Sequence, residues 1–77
     1  MNRIWDERQQ RFRQFLKDIR KESGLSQEEL AKRLDRPQSY VSKYERGERK
    51  LDFVETVEIC EALGHYDIKE VYEYIKK

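Results

Sequence analysis

The chain is poor in the residues that define several protein classes. Its 77 residues hold one cysteine, one proline, one histidine and three glycines. A lone Cys60 cannot build an intramolecular disulfide framework and fits a reducing compartment. Together with His65, five positions on, it supplies too few donors for a zinc site. No apolar run exceeds two residues, so neither a signal-peptide core nor a membrane span is expected, and the expected location is the cytoplasm. Glycine is too sparse for a phosphate-cradling loop, since "ERGERK" (residues 45–50) contains one. No nucleophile–base pair stands out. The sequence therefore points away from an enzyme, and no cofactor or metal is expected.

Charge, by contrast, is abundant. Charged residues make up 43% of the chain and mean hydropathy is −1.14. Net charge is only +1, so self-repulsion is weak, and 18 residues are Leu, Ile, Val or Phe, enough for a small core. A core of this size often gains from dimerisation. The small net charge hides an asymmetry. Residues 1–50 carry 14 Lys/Arg against 9 Asp/Glu, net +5, and residues 51–77 carry 3 against 7, net −4. A basic part and an acidic part suggest that one face meets a polyanion.

Apolar spacing and stop signals predict five helices and no strand. The first runs from about Ile4 to Glu22, with Trp5, Phe12, Leu16 and Ile19 on one stripe, Phe15 widening it and Gly24 beyond its end. The second, Gln27 to Leu34, opens on Ser26 with Glu29 three positions later, the pattern of a capping box. Leu25 is placed to staple onto Leu30, and Leu30, Ala31 and Leu34 form the stripe. The third spans roughly Pro37 to Arg46, with proline tolerated in the first turn and Gly47 as the stop. The fourth runs from about Phe53 to Leu63 behind Asp52 and Glu55. Its expected stripe is Phe53, Val57 and Cys60, with Val54 and Leu63 beside them. The last, about Ile68 to Lys76, comes after Asp67 and carries Ile68, Val71, Tyr72 and Ile75 on one side.

Helices two and three are joined by a very short turn around Asp35 and Arg36, so they must cross steeply, as in a helix-turn-helix. Ala31 is small where the next helix crosses. Val41 and Tyr44 are the apolar points by which helix three docks. Gln38, Ser39, Ser42, Lys43 and Arg46 then share an outward face.

The stretch "LSQEELAKRLDRPQSYVSKYERG" resembles the lambda-repressor-like, Cro-type helix-turn-helix family, also called the XRE family. The matching residues are Gln27, Ala31, the turn at Asp35, Val41 and the closing "YERG". The resemblance extends upstream through "RKESGLS" and downstream through "LDFVETVEICEALG", covering residues 12 to about 64. It implies an all-α, five-helix DNA-binding domain over residues 12–77, with residues 1–11 an amino-terminal extension continuing into helix one. Two features depart from the family. Asp35 stands where glycine is usual, at a left-handed turn that Asp tolerates better than most residues. The extension Met1–Arg11 with Trp5 has no counterpart in the core motif.

The resemblance also implies roles. Gln38, Ser39, Ser42 and Lys43 match base-reading positions: glutamine pairs with adenine, lysine donates to guanine, and serine serves either. Gln27, at a helix start, matches a phosphate contact. Arg46, Arg49 and Lys50, and Arg36 in the turn, match backbone contacts that would add to the salt dependence of binding. Tyr40 flanks this face, its phenol set either to contact a phosphate, to touch thymine methyls or to pack against the domain. Arg20 and Glu45 match a structural ion pair between helices one and three. Trp5, Tyr66, Tyr72, Tyr74 and Ile75 are candidates for a dimer surface. A homodimer would present two recognition helices to a near-palindromic double-stranded operator. The function implied is a small sequence-specific transcriptional regulator of repressor or controller type. The alternative is an antitoxin that binds a partner protein and regulates its own operon.

Overall fold

The computed structural model describes the backbone of residues 3–77 and the side chains from Asp6 onward; Met1, Asn2 and the side chain of Trp5 lie outside the described residues. Five helices occur in the order α1 (Arg3–Glu22), α2 (Gln27–Leu34), α3 (Gln38–Arg46), α4 (Phe53–Ala62) and α5 (Ile68–Lys76). No strand occurs among the described residues.

Local chemistry fixes where the helices start. The Ser26 hydroxyl accepts from the Glu29 N–H at 3.0 Å, while the Glu29 carboxylate accepts from the Ser26 N–H at 2.8 Å. Asp52 and Glu55 repeat this reciprocal arrangement at α4, at 2.7 and 3.0 Å. Each such cap contributes about 1 kcal/mol. α3 has no side-chain cap. Pro37 sits just outside it with extended backbone (φ −68°, ψ 154°) rather than inside the first turn as the sequence suggested. Its fixed φ shapes the approach to the helix, and the Tyr40 N–H bonds back to its carbonyl at 3.0 Å.

One device recurs where α1, α2, α3 and α4 stop. A residue in left-handed backbone lets the next N–H reach back five residues, as in Arg36 to the Ala31 carbonyl (2.9 Å) and Glu48 to that of Lys43 (2.8 Å). Glycine supplies the left-handed residue at 24, 47 and 64, and Asp35 supplies it after α2 with φ 56° and ψ 45°. Among the described residues, Asp35 is the one non-glycine with positive φ.

The helices bury one core. α1 packs on α3 and α5, while α2 packs on α3 and α4. Phe15, Leu16 and Ile19 enter from α1, Leu30 and Ala31 from α2, Val41 and Tyr44 from α3, and Val71 from α5. Phe12, Leu25 and Leu34 are partly buried against it. Burying Val41 completely contributes on the order of 2 kcal/mol.

Two helix faces differ from the expected ones. α4 buries Thr56, Ile59, Cys60 and Leu63, while Phe53 and Val54 are 69% and 64% exposed. Thr56 can go inside because its hydroxyl donates to the Asp52 carbonyl at 2.9 Å. The first turn of α4 projects past the core and leaves Phe53 and Val54 outside. In α5 only Val71 is fully inside; Ile75 is half-buried, and Ile68 and Tyr72 are exposed. Tyr74 turns inward instead, with its ring 5.2 Å from that of Phe15.

A buried ion pair ties α1 to the end of α3. Arg20 Nε donates to Glu45 Oε2 at 2.7 Å and Nη2 to Oε1 at 3.1 Å, while Nη1 donates to the Leu25 carbonyl at 2.8 Å. The two side chains are only 9% and 3% exposed. Breaking such a pair from either side leaves a charge without its counterion in a dry site.

Two stability measurements test these points. Arg20→Ala and Glu45→Ala should each cost on the order of 3 kcal/mol in urea denaturation, and the double variant should cost clearly less than the sum of the two. Equal and additive small losses would show that the pair is energetically idle. Asp35→Gly should raise stability by about 0.5–1 kcal/mol, because glycine relieves the left-handed strain at a small cost in unfolded-chain entropy. A lower urea midpoint would contradict it.

Candidate nucleic-acid interface

The turn between α2 and α3 spans Asp35–Pro37. Such a short link forces the two helices into close crossing, and Ala31, 2% exposed, leaves room for it. Val41 and Tyr44 point into the core at 0% and 1% exposure, which sets the rotation of α3 about its axis. On the opposite side Gln38, Ser39, Lys43 and Arg46 are exposed and Ser42 is half-exposed. The Ser42 hydroxyl bonds the Ser39 carbonyl at 3.3 Å. The one acid of α3, Glu45, is turned away and held by Arg20, so no carboxylate of this helix shares the outward face.

The cationic and polar residues around this face differ in how they are held. Gln27, at the start of α2, donates its side-chain amide to Glu45 Oε1 at 2.9 Å. Glu45 therefore fixes Gln27 as well as Arg20, and joins the N-terminus of α2 to the C-terminus of α3. Arg46 pairs with Glu48 in a two-bond fork at 2.9 and 3.0 Å, with both side chains 56% exposed. That fork holds the Glu48 carboxyl below its usual range. Arg49 donates to Glu55, and Arg36 approaches the same carboxylate oxygen at 3.9 Å. Lys43 and Lys50 are exposed and make no ion pair among the described residues.

Tyr40 is placed differently from a residue flanking an open face. It is 7% exposed, and its ring lies edge-on to Tyr44 with centroids 5.8 Å apart. The helical repeat turns Tyr40 toward the same side as Val41 and Tyr44. The guanidinium groups of Arg36 and Arg49 cover the ring, at 4.7 and 4.8 Å from its centre. Burial pushes the phenol's pKa up, and the neighbouring Glu55 charge adds to this. Tyr40 thus packs against the domain, one of the three settings open to it in the sequence.

Glu55 is the residue the sequence did not flag as part of this region. It reads there as a capping carboxylate, and its contacts with Arg36 and Arg49 depend on how the chain folds back. Its carboxyl is held below the usual range first by the hydrogen bond from the Asp52 backbone and then by that from Arg49.

Away from this face, an apolar groove of about 480 Å³ lies between α1, α4 and α5. Phe12, Leu51, Phe53, Ile68, Tyr72 and Ile75 line it, with Arg8, Gln9, Asp52 and Thr56 at the polar positions. Phe53, Ile68 and Tyr72 on its walls are among the most exposed large apolar side chains, as is Tyr66 at 78%. Tyr74, packed on Phe15, takes no part in it. Among the described residues, no group of three or more His, Cys, Asp or Glu is arranged to hold a metal ion, and no helix is long and apolar enough to cross a membrane.

The comparisons with known proteins agree with this geometry. No curated protein matches the chain. The structure is similar to that of an XRE-family like protein from Pseudomonas syringae pv. tomato str. DC3000, with a TM-score of 0.86 at 38% sequence identity, over 95% of this chain and 88% of that one. Residues 16–71 match the family model described as "Helix-turn-helix". That span holds the packed α2–α3 pair and the outward face of α3 that carries no acid, and the chain belongs to the XRE family of helix-turn-helix DNA-binding regulators.

Proposed function

We propose that the protein is a sequence-specific transcriptional regulator of repressor or controller type, and that α3 enters the major groove of double-stranded DNA. The observation that carries this reading is the outward row of Gln38, Ser39, Ser42 and Lys43 on a helix whose inner side is fixed in the core. Gln38 and Lys43 bring side chains suited to adenine and guanine edges, and the serines adapt to either partner. Gln27, Arg46, Arg49, Lys50 and Arg36 hold the backbone on both sides of this row, fixing register without reading sequence. In this reading the protein works in the cytoplasm, beside the DNA it regulates.

The protein acts as a homodimer in this reading, with a second copy seated on the groove between α1, α4 and α5. A groove walled by its own protruding Phe53 and Tyr72 offers both a cavity and a filler for it, as a two-fold contact requires. Its two charged positions have opposite sign, so Arg8 of one copy can meet Asp52 of the other. Two recognition helices then stand about 34 Å apart, one turn of DNA, and the preferred site is near-palindromic.

Binding measurements separate these claims. Gln38→Ala should cost roughly 1–3 kcal/mol on a site selected from random DNA and little on unrelated duplex. Lys50→Ala should weaken both alike and lower the salt slope by about one. Equal losses on every sequence for Gln38→Ala would remove the base-reading role. Phe53→Asp should convert a dimer into a monomer in sedimentation and lower affinity for the full site. A wild-type protein that stays monomeric, and selects a site without two-fold symmetry, would leave the groove to a different protein, as the antitoxin reading requires.

A further inference from the structure

Four residues from four segments meet beside the recognition helix: Arg36 from the turn, Tyr40 from α3, Arg49 from the loop after it and Glu55 from the first turn of α4. The two guanidinium carbons lie 4.7 and 4.8 Å from the centre of the Tyr40 ring. Arg49 Nη2 donates to Glu55 Oε2 at 2.5 Å, and Arg36 Nη1 is 3.9 Å from that oxygen. The other oxygen of Glu55 accepts from the Asp52 N–H at 3.0 Å. The Glu55 N–H in turn donates to the Asp52 carboxylate at 2.7 Å. The α4 cap thus pins the carboxylate from one side, and the arginines gather on the other.

Burial separates this cluster from an ordinary surface ion pair. The Glu55 side chain is 14% exposed, whereas Arg36 and Arg49 each keep 40% of theirs open. The anchor is largely covered and the cations are more open. In the Arg46–Glu48 pair both partners are equally open, so neither anchors the other. Two guanidinium groups drawn to one point repel each other, and a fixed carboxylate and the negative face of an aromatic ring are what allow them to stay. Each guanidinium carries five N–H donors in a rigid plane, and Glu55 occupies few of them. With all three ionised, Arg36, Arg49 and Glu55 carry one net positive charge. A phosphodiester carries one negative charge on two oxygens, the form that such forks recognise.

We propose that Arg36 and Arg49 form a single clamp for one DNA phosphate, with Glu55 and Tyr40 as positioning residues that hold both guanidinium groups in place before DNA arrives. This clamp rests on the proposed DNA-binding function. It makes Glu55, an acid beside a polyanion, favourable for binding. If Glu55 acted only through its charge, its effect would have the opposite sign.

The test measures affinity for the selected site and for random duplex over a salt series, with thermal melting of each variant. Glu55→Gln keeps the shape and the α4 cap, since glutamine also serves a capping box. It should lower affinity on both DNAs by roughly three- to tenfold and flatten the salt dependence by a fraction of one phosphate contact. Arg49→Lys, which keeps the charge and loses the planar fork, should fall most of the way toward Arg49→Ala. Tyr40→Leu should lose affinity and Tyr40→Phe should recover most of it. Tyr40 is buried, so the surface variants at 49 and 55 decide the matter if Tyr40→Leu does not fold. Tighter binding with steeper salt dependence in Glu55→Gln, or Arg49→Lys binding as well as wild type, would overturn the clamp while leaving DNA binding standing. A folded wild-type protein that binds no duplex at any salt would instead overturn the DNA-binding function, and the clamp with it.

Discussion

The buried contact between Arg20 and Glu45 is the constraint on which the DNA-facing side depends. Glu45 sits at the C-terminal end of a nine-residue helix with three buried anchors, Tyr40, Val41 and Tyr44. These anchors fix the helix's depth and rotation, but they lie within its first seven residues and leave its C-terminal end without an apolar hold. The carboxylate supplies that hold by taking two bonds from Arg20, on the long α1, and one from Gln27, at the start of α2. Arg20 is itself fixed at its third corner by the Leu25 carbonyl, just ahead of the α2 cap. One carboxylate thus sets the angle between α2 and α3. It also removes the only negative charge of α3 from the surface.

With its angle set, α3 divides its positions between two tasks. Its inner side needs large buried groups, and Tyr40, Val41 and Tyr44 supply them. Its outer side needs donors and acceptors of moderate length with no acid, and Gln38, Ser39, Ser42 and Lys43 supply those. A helix this short has no spare positions, which explains its weak intrinsic propensity: the β-branched, aromatic and hydroxyl residues that lower it are the ones the two faces require. Tertiary contacts must hold the helix, as they do for most short helices.

Much of this was legible in the sequence wherever the determinant lies within a few residues. The reciprocal caps at Ser26–Glu29 and Asp52–Glu55, the stop at Gly47 and the left-handed turn at Asp35 are all local, and they set the helix bounds. The docking pair Val41 and Tyr44 stood out because so little else on α3 is apolar. Two kinds of information did not show. α4 has apolar residues nearly all round, so periodicity alone could not choose between a stripe through Phe53 and Val54 and one through Thr56 and Ile59. Thr56 can face inward because its hydroxyl bonds a backbone carbonyl, and apolar patterns do not count threonine. The second kind is pairing at a distance. In the sequence Arg46, Arg49 and Arg36 read as backbone contacts, and only the folded chain brings Glu55 beside two of them.

In the proposed reading those pairings bear on how a small basic surface discriminates among DNA sequences. Free arginines on a flexible loop would grip any duplex, since counterion release is indifferent to sequence. Here Arg46 is forked onto Glu48, and Arg36 and Arg49 gather on Glu55, while Lys43 and Lys50 have no ion-pair partner among the described residues. Glu48, forked onto Arg46, reduces the attraction common to all sequences. In the proposed reading it leaves untouched the hydrogen bonds that Gln38 and Lys43 make with a matching site. An exposed pair such as Arg46–Glu48 is weak and salt-screened, so a well-placed phosphate can displace the carboxylate at little cost. The anchored cluster at Glu55 does not open so easily, and its guanidinium groups are offered in fixed positions instead. Backbone contacts of this second kind also favour the correct register, because they form only when the phosphates arrive where the arginines already are.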